Sequence, residues 1–262
     1  MSVSISRSFA SRRYGAEAIL REAGKRAMES FRTQQFSVEK KGMQDFVSEV
    51  DRQTENFIRD SLLDLFPDDG FLGEESGGEI ASTTWIVDPI DGTTNFVRGI
   101  PVWCLSAGFV VDGKPVVGVV YDPCRDEMFS AHRGGGAWLN GTKIMVSTTD
   151  DPKESILSVG FNFKAPVGRH QSIMDGLFTA GAMHRMHGSG ALGLAYVAAG
   201  RVDGFWEAYI HSWDVVAGLV LVHEAGGYIS DFLADGDFRN GQEILASAPG
   251  MKAFFGALTG DI

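Results

Sequence analysis

Two long apolar runs, Cys104–Val111 and Val116–Tyr121, stand on either side of the turn Asp112-Gly113-Lys114-Pro115. An Asp-Gly step between β-branched and aromatic residues is the strongest short-range hairpin signal a sequence carries, so this stretch predicts paired strands near the middle of the chain. Helical spacing precedes it over about residues 10–31, through Ala16, Ile19, Leu20, Ala23, Ala27 and Phe31. A second helical pattern covers about 46–66, with Val50, Thr54, Phe57, Ile58, Leu62 and Leu65 on one side, and stops at Pro67-Asp68-Asp69-Gly70. Strand-like pieces fall at Phe71–Gly73, Trp85–Val87, Glu127–Ala131 and Ala137–Leu139. After about residue 145, helical patterns near Gln171–Ala180, Ala191–Ala199 and Val215–Ala225 alternate with short β pieces. These lie at Ile156–Gly160, Val202–Trp206, Tyr228–Ser230 and Ile244–Ala246. The order predicts an α+β first half (residues 1–145) and an α/β second half (146–262).

The chain has 262 residues, 44% of them hydrophobic, which suits one compact unit or two closely fused subdomains. It holds no run of eighteen apolar residues, so no membrane-spanning helix is expected. The Ser/Arg-rich start lacks the apolar core of a signal peptide and runs straight into a helical pattern, so it reads as part of the fold. Cys104 and Cys124 make neither a disulfide framework nor a metal spacing, which points to free thiols and a cytoplasmic protein. A net charge of −11, without basic runs, speaks against a nucleic-acid or membrane surface. It also means that an anionic ligand would need cations to bring it to this protein.

Residues 85–96 read Trp-Ile-Val-Asp-Pro-Ile-Asp-Gly-Thr-Thr-Asn-Phe. Three strand residues end at Asp88, and Pro89 biases Asp88 toward an extended backbone. Asp91 follows beside Gly92, which permits close backbone approach, and Thr93 or Thr94 is suited to open a short helix. The construction offers carboxylates for cations and free N–H groups for an anion; a phosphate bridged to metal ions satisfies both. Any single Asp here is explained as well by an ordinary turn or helix cap. The whole dodecamer is not.

Further acids extend the pattern: Glu74-Glu75 after a strand-like piece, Asp45 to Asp51 at the start of the second helix, and Asp214 opening an apolar helix. Each alone is equally a solvated or helix N-terminal acid. Together these segments resemble the inositol monophosphatase family, Mg2+-dependent, lithium-sensitive phosphatases. The resemblance runs from Lys40 through Gly73-Glu-Glu-Ser76, Asp88–Phe96 and Gly188-Ser189-Gly190-Ala191 to Trp213-Asp214 and Glu224-Ala-Gly-Gly227. It implies a layered α/β/α/β/α sandwich, usually a homodimer. The first half then carries most metal ligands, and the second carries Asp214 and the substrate-binding residues.

Carried over by position, the resemblance implies that Glu74, Asp88 and the Ile90 carbonyl hold one Mg2+, while Asp88, Asp91 and Asp214 hold a second. A third, weaker ion would lean on Glu74. Thr93, paired with Asp51, would orient and deprotonate the attacking water, with Glu74 also in the catalytic set. The N–H groups of Gly92 and Thr93 would hold the phosphate; Asp91, Gly188, Ser189, Gly190 and Glu207 would meet the substrate. The expected activity is hydrolysis of inositol monophosphate or a similar small polyol phosphate. Histidinol phosphate and fructose 1,6-bisphosphate stand as alternatives, and a regulatory binding protein of the same fold as the rival from another class. No membrane or nucleic-acid partner is expected, and a regulatory protein partner stays open.

Departures and decoys remain. Ala165–Gln171 does not follow the family pattern, and Gly190 stands where alanine is common, a change expected to widen the pocket. Gly188-Ser-Gly-Ala-Leu-Gly193 matches G-x-G-x-x-G, but Met183–His187 is a poor buried strand to precede a dinucleotide site. His170, His184, His187 and His211 fit no established ligand spacing and read as surface or pocket-rim residues. Arg185 reads about equally as a support for the Gly188 loop or the phosphate and as a surface ion pair.

Overall fold

The protein, studied as a computed structural model, is described for residues 2–42 and 45–260, with side chains for 9–40 and 48–260. Its helices are α1 (Ser2–Thr33), α2 (Glu49–Leu65), α3 (Thr93–Val97), α4 (Val167–Ala180), α5 (Gly190–Ala198), α6 (Ser212–Glu224) and α7 (Lys252–Thr259). The larger sheet has eight strands. From one edge they are Thr142–Ile144, Ala137–Leu139, Glu127–His132, Lys114–Asp122, Cys104–Val111, Thr83–Asp91, Gly70–Gly73 and Gly77–Gly78. The smaller has five: Met183–Arg185, Ile156–Val159, Gly204–Ile210, Gln242–Ser247 and Tyr228–Ile229. A separate two-stranded ribbon pairs Val38–Gly42 with Asp45–Ser48.

Helices α1 and α2 cover one face of the larger sheet, α5 and α6 lie between the sheets, and α4 and α7 cover the outer face of the smaller. This is the expected α/β/α/β/α layering. The central layer explains itself from sequence: α5 and the Val215–Val222 stretch of α6 are apolar all round, and a helix without a polar face must be buried on all sides. One core cluster accordingly joins Val120 and Phe129 of the larger sheet to Leu194, Leu221 and Ile244. Helix α6 sits unusually close to the larger sheet. A Cβ at Gly118 would come within 2.1 Å of the Ala217 carbonyl oxygen, and one at Gly108 within 2.3 Å of Val216 Cγ1. These two glycines bring the N-terminus of α6, and Asp214 with it, up to the strand that carries Asp88.

The Cys104–Val111 strand has the predicted bounds, and its hairpin turns through Asp112 and Gly113, both at positive φ (48° and 76°) as a two-residue primed turn demands. Several expectations are corrected. The second helix starts at Glu49 rather than near 46, because Asp45–Ser48 is a strand and Ser48 caps the helix. The strand expected at Val202–Trp206 runs Gly204–Ile210, so Glu207 lies within a strand opposite Ile244, not in a loop. Met183–Arg185, read as a poor buried strand, is a short parallel edge strand that is not buried, in keeping with that reading. Among the described residues no helix is long and apolar enough to cross a membrane.

Candidate metal and phosphate site

The strand Thr83–Asp91 is buried from Thr84 onward, parallel to Gly70–Gly73 on one side and antiparallel to Cys104–Val111 on the other. In an unbroken strand, residues three apart point to opposite faces. Here Asp88 pairs with Ser106 and Asp91 with Cys104, so one extra residue is absorbed in a bulge at Pro89-Ile90. The bulge returns Asp91 to the face of Asp88, and proline suits it because no ladder N–H is needed there. Asp214, third residue of α6, accepts from its cap, His211 N, at 3.1 Å and completes the group. Carboxylate oxygens of Asp88, Asp91 and Asp214 lie within 4.8 Å of one another.

Asp91 is the best anchored of the three. It accepts from Ser189 Oγ (2.6 Å), Ala191 N (2.6 Å) and Gly190 N (3.3 Å), with Cys104 Sγ at 3.8 Å. The G-x-G-x-x-G string therefore presents a helix N-terminus to an anion, and that anion is the protein's own Asp91. Ser189, expected at the substrate, commits its hydroxyl to Asp91 and to capping Leu192 N. Gly190 does not widen the pocket as expected: an added Cβ would stand 2.5 Å from Ile210 Cδ1, so Ile210 already fills that space.

Burial, then the charges of Glu74, Asp91 and Asp214, push Asp88 well above the usual carboxylate range. Burial and the charge of Asp91 do the same to Asp214. Burial also raises Asp91, against the donors that hold it. The ion pairs of the described residues join none of these three to Lys or Arg. Buried like charges with hard oxygen donors and no basic partner call for a divalent cation, and the donor set fits Mg2+. Glu74 lines the same cleft outside this tight triplet and adds its charge to Asp88. The Ile90 carbonyl accepts from Thr93 Oγ1 at 3.0 Å, which uses one of its two lone pairs.

Thr93 also donates to Asp51 Oδ1 at 3.2 Å, so one hydroxyl proton faces two acceptors. Asp51 is fully buried as the third residue of α2, bonded through Oδ2 to Ser48 N (2.9 Å) and the Ser48 hydroxyl. Burial pushes Asp51 up to about 6, against the lowering effect of the Ser48 bonds. Gly92 holds φ 98° as the cap of α3, where a Cβ would press within 3.1 Å of the Gly188 and Val102 carbonyls. Asn95 ties α3 to the far side of the cleft, donating to Val102 O (2.7 Å) and His187 O (2.9 Å).

Glu74, Asp91, Gly188, Ser189, Gly190, Glu207 and Asp214 line one cleft; Asp88 joins it through the carboxylate group it shares with Asp91 and Asp214, and Thr93 is tied to Asp51 and the Ile90 carbonyl. His187 and His211, both half-buried, line the cleft, whereas Arg185 bonds the His184 carbonyl at the surface. The composition of the cleft did not announce Glu55. Its two oxygens accept Glu75 N and Ser76 N, each at 2.8 Å, and fix the Gly73-Glu-Glu-Ser turn. Gly73 is required there, since a Cβ would fall 2.4 Å from the Glu55 carboxyl carbon. Glu224 likewise accepts from Gly134 N and Gly136 N, a structural clamp away from the cleft.

The sequence profile of the inositol monophosphatase family matches residues 10–259. The chain belongs to the inositol monophosphatase family. Among relatives, it is 44% identical over 214 residues to the Nus factor SuhB of Salmonella typhimurium, covering 80% of each chain. It is 39% identical over 225 residues to an inositol-1-monophosphatase of Mesorhizobium japonicum, covering 81% of this chain and 82% of that one. The crystal structure of the extragenic suppressor protein suhB from Bartonella henselae superposes with a TM-score of 0.86 at 36% identity, over 92% of this chain and 95% of that one. Family members thus bear names of two kinds, a phosphatase and a Nus factor.

Glu207 is a buried cleft carboxyl outside the metal triplet. Burial, then the charge of Asp91, pushes it from 4.5 up to about 8. The native state then keeps a proton that the unfolded chain releases between about pH 4.5 and 8, so this group's contribution to stability falls as pH rises through that window. The slope is at most about 1.4 kcal/mol per pH unit. After EDTA treatment, the Tm of wild type should fall from pH 5 to pH 8 more steeply than that of Glu207→Gln. Parallel curves would contradict the buried placement of Glu207.

Proposed function

We propose that this protein is a Mg2+-dependent phosphomonoesterase acting on inositol monophosphate or a similar small polyol phosphate. The observation that carries the reading is the triplet of buried Asp88 and Asp91 with half-buried Asp214, together with the Thr93–Asp51 pair. Mg2+ held by Glu74, Asp88, Asp91, Asp214 and the Ile90 carbonyl supplies charge neutralisation for the phosphate and its leaving oxygen, and acidifies water. The chain's own part is positioning and proton handling. Thr93 Oγ1 accepts a proton from the attacking water while passing its own to Asp51, whose value of about 6 suits a base near neutral pH. The N–H groups of Gly92 and Thr93, at the start of α3, orient the phosphate, and Glu207 meets the substrate hydroxyls.

Phosphate release from inositol, sugar, nucleotide and amino-alcohol phosphates, with and without Mg2+, tests this directly. Activity should appear with Mg2+, fall at least about a hundredfold after exhaustive EDTA treatment, and return on adding Mg2+ back. Ca2+, with looser coordination, should oppose it. Undiminished turnover after EDTA would overturn the mechanism. A second reading, regulation by binding, is favoured by the Nus-factor names of the relatives. Retention of the complete acid set together with Thr93 argues for catalysis, and silence across the Mg2+ screen would favour the binding protein.

A further inference from the structure

The cleft is large, about 1220 Å3 against the 300–1,000 Å3 usual for small-molecule sites, and its walls carry Glu74, Asp91, Glu207 and Asp214. Lys164 is the only Lys or Arg among the described residues that line it. The turn that carries it is tied by Asn162: Lys164 N donates to Asn162 Oδ1 (3.0 Å) and Ala165 N to Asn162 O (3.1 Å). Beside it Phe161 and Phe163 meet edge to face with centroids 4.9 Å apart. The ammonium rests 5.3 Å from the Tyr209 ring centre and 3.3 Å from His211 Nε2. Since an ammonium only donates, His211 Nε2 accepts, and Nδ1 carries the hydrogen toward Arg239 O at 3.2 Å. That imidazole is held flat on Trp213, centroids 4.4 Å apart and planes 9° from parallel. Lys164 is therefore seated on neutral groups, forms no ion pair among the described residues, and keeps two donor hydrogens for a ligand.

Its place is one residue removed from the metal group, because the histidine that accepts from Lys164 also donates its backbone N–H to Asp214. A cation there is poorly placed for the scissile phosphate, which belongs with the triplet, and well placed for the other end of the substrate. We propose that Lys164 binds a second anionic group, phosphate or carboxylate, on the alcohol half of the substrate. This rests on the phosphomonoesterase reading and extends it to phosphomonoesters that carry a second anionic group besides the scissile phosphate. A lysine suits the role as a mobile point charge at an open rim.

The test compares wild type with Lys164→Met and Lys164→Arg on fructose 1,6-bisphosphate, 3-phosphoglycerate and inositol 1-phosphate. Two quantities are read: kcat and KM with Mg2+, and calorimetric Kd with Ca2+-loaded protein. Lys164→Met should raise KM and Kd about tenfold for at least one doubly anionic ligand. It should leave kcat and all inositol 1-phosphate values unchanged, and Lys164→Arg should restore binding. A loss shared by the bisphosphate and the carboxylate means a general anion seat; a loss confined to one names the group. Equal changes for all three ligands, or none, would overturn the proposal and return Lys164 to propping His211. If wild type releases no phosphate yet Lys164→Met selectively weakens a doubly anionic ligand, the phosphatase reading has failed and the anion seat stands.

Discussion

Asp88→Asn is expected to lower kcat/KM at least about a thousandfold, roughly 4 kcal/mol of transition-state stabilisation, with no rescue by raised Mg2+. The side chain is 2% exposed at the bulge, with Oδ1 taken by the Ile90 N–H at 2.9 Å. An amide keeps that bond and the shape, so the fold should persist. What goes is one ionisable carboxyl from a group in which the charges of Glu74, Asp91 and Asp214 all raise Asp88. The metal-free variant should accordingly melt higher than metal-free wild type, because buried like charges are relieved, while the Mg2+-induced rise in Tm largely disappears. Opposite signs for the two shifts separate loss of a ligand from simple misfolding. A variant within tenfold of wild-type activity, or with its Mg2+ shift intact, would remove Asp88 from the metal site.

Legibility from sequence followed the range of the interaction. The Cys104–Val111 hairpin was readable because its turn residues and its periodicity agree locally. The Val38–Ser48 ribbon was not: its Val-Glu-Lys-Lys-Gly strand is polar, so no alternation of burial marks it. Ser48-x-x-Asp51 is a capping-box pattern and was the available signal that α2 starts at Glu49. At the site, the family resemblance supplied the acids but not the reasons they meet. Asp91 is held by Ser189, Gly190 and Ala191, nearly a hundred positions away, and no local pattern encodes that contact. Glu55 escaped for a related reason: on an amphipathic helix it reads as a solvent-facing acid, and only the turn it receives from Glu75 and Ser76 explains its burial. The substrate end was least legible. Whether Gly190 opens space depends on Ile210, a residue twenty positions on in another element.

Thr93→Ala is expected to lower kcat about 10^2- to 10^4-fold while leaving Mg2+ affinity within a few-fold of wild type. The hydroxyl bonds Asp51 and the Ile90 carbonyl and belongs to no carboxylate of the triplet, so its removal leaves the charge of the metal group unchanged. The Ile90 carbonyl gains a free lone pair, which if anything favours a cation. Asp51, in contrast, loses a donor that lowers its pKa, so the remaining activity should need a higher pH. Thr93→Ser should recover most of the rate, because serine keeps the hydroxyl. If Thr93 and Asp51 act as one proton relay, the double variant Thr93→Ala/Asp51→Asn should be little slower than Thr93→Ala alone, since the second change removes a step already broken. Calorimetric Mg2+ titration beside kcat measurement decides the matter. A Thr93→Ala protein that loses metal as badly as Asp88→Asn would make Thr93 a support of the metal site, and multiplicative losses in the double variant would separate it from Asp51.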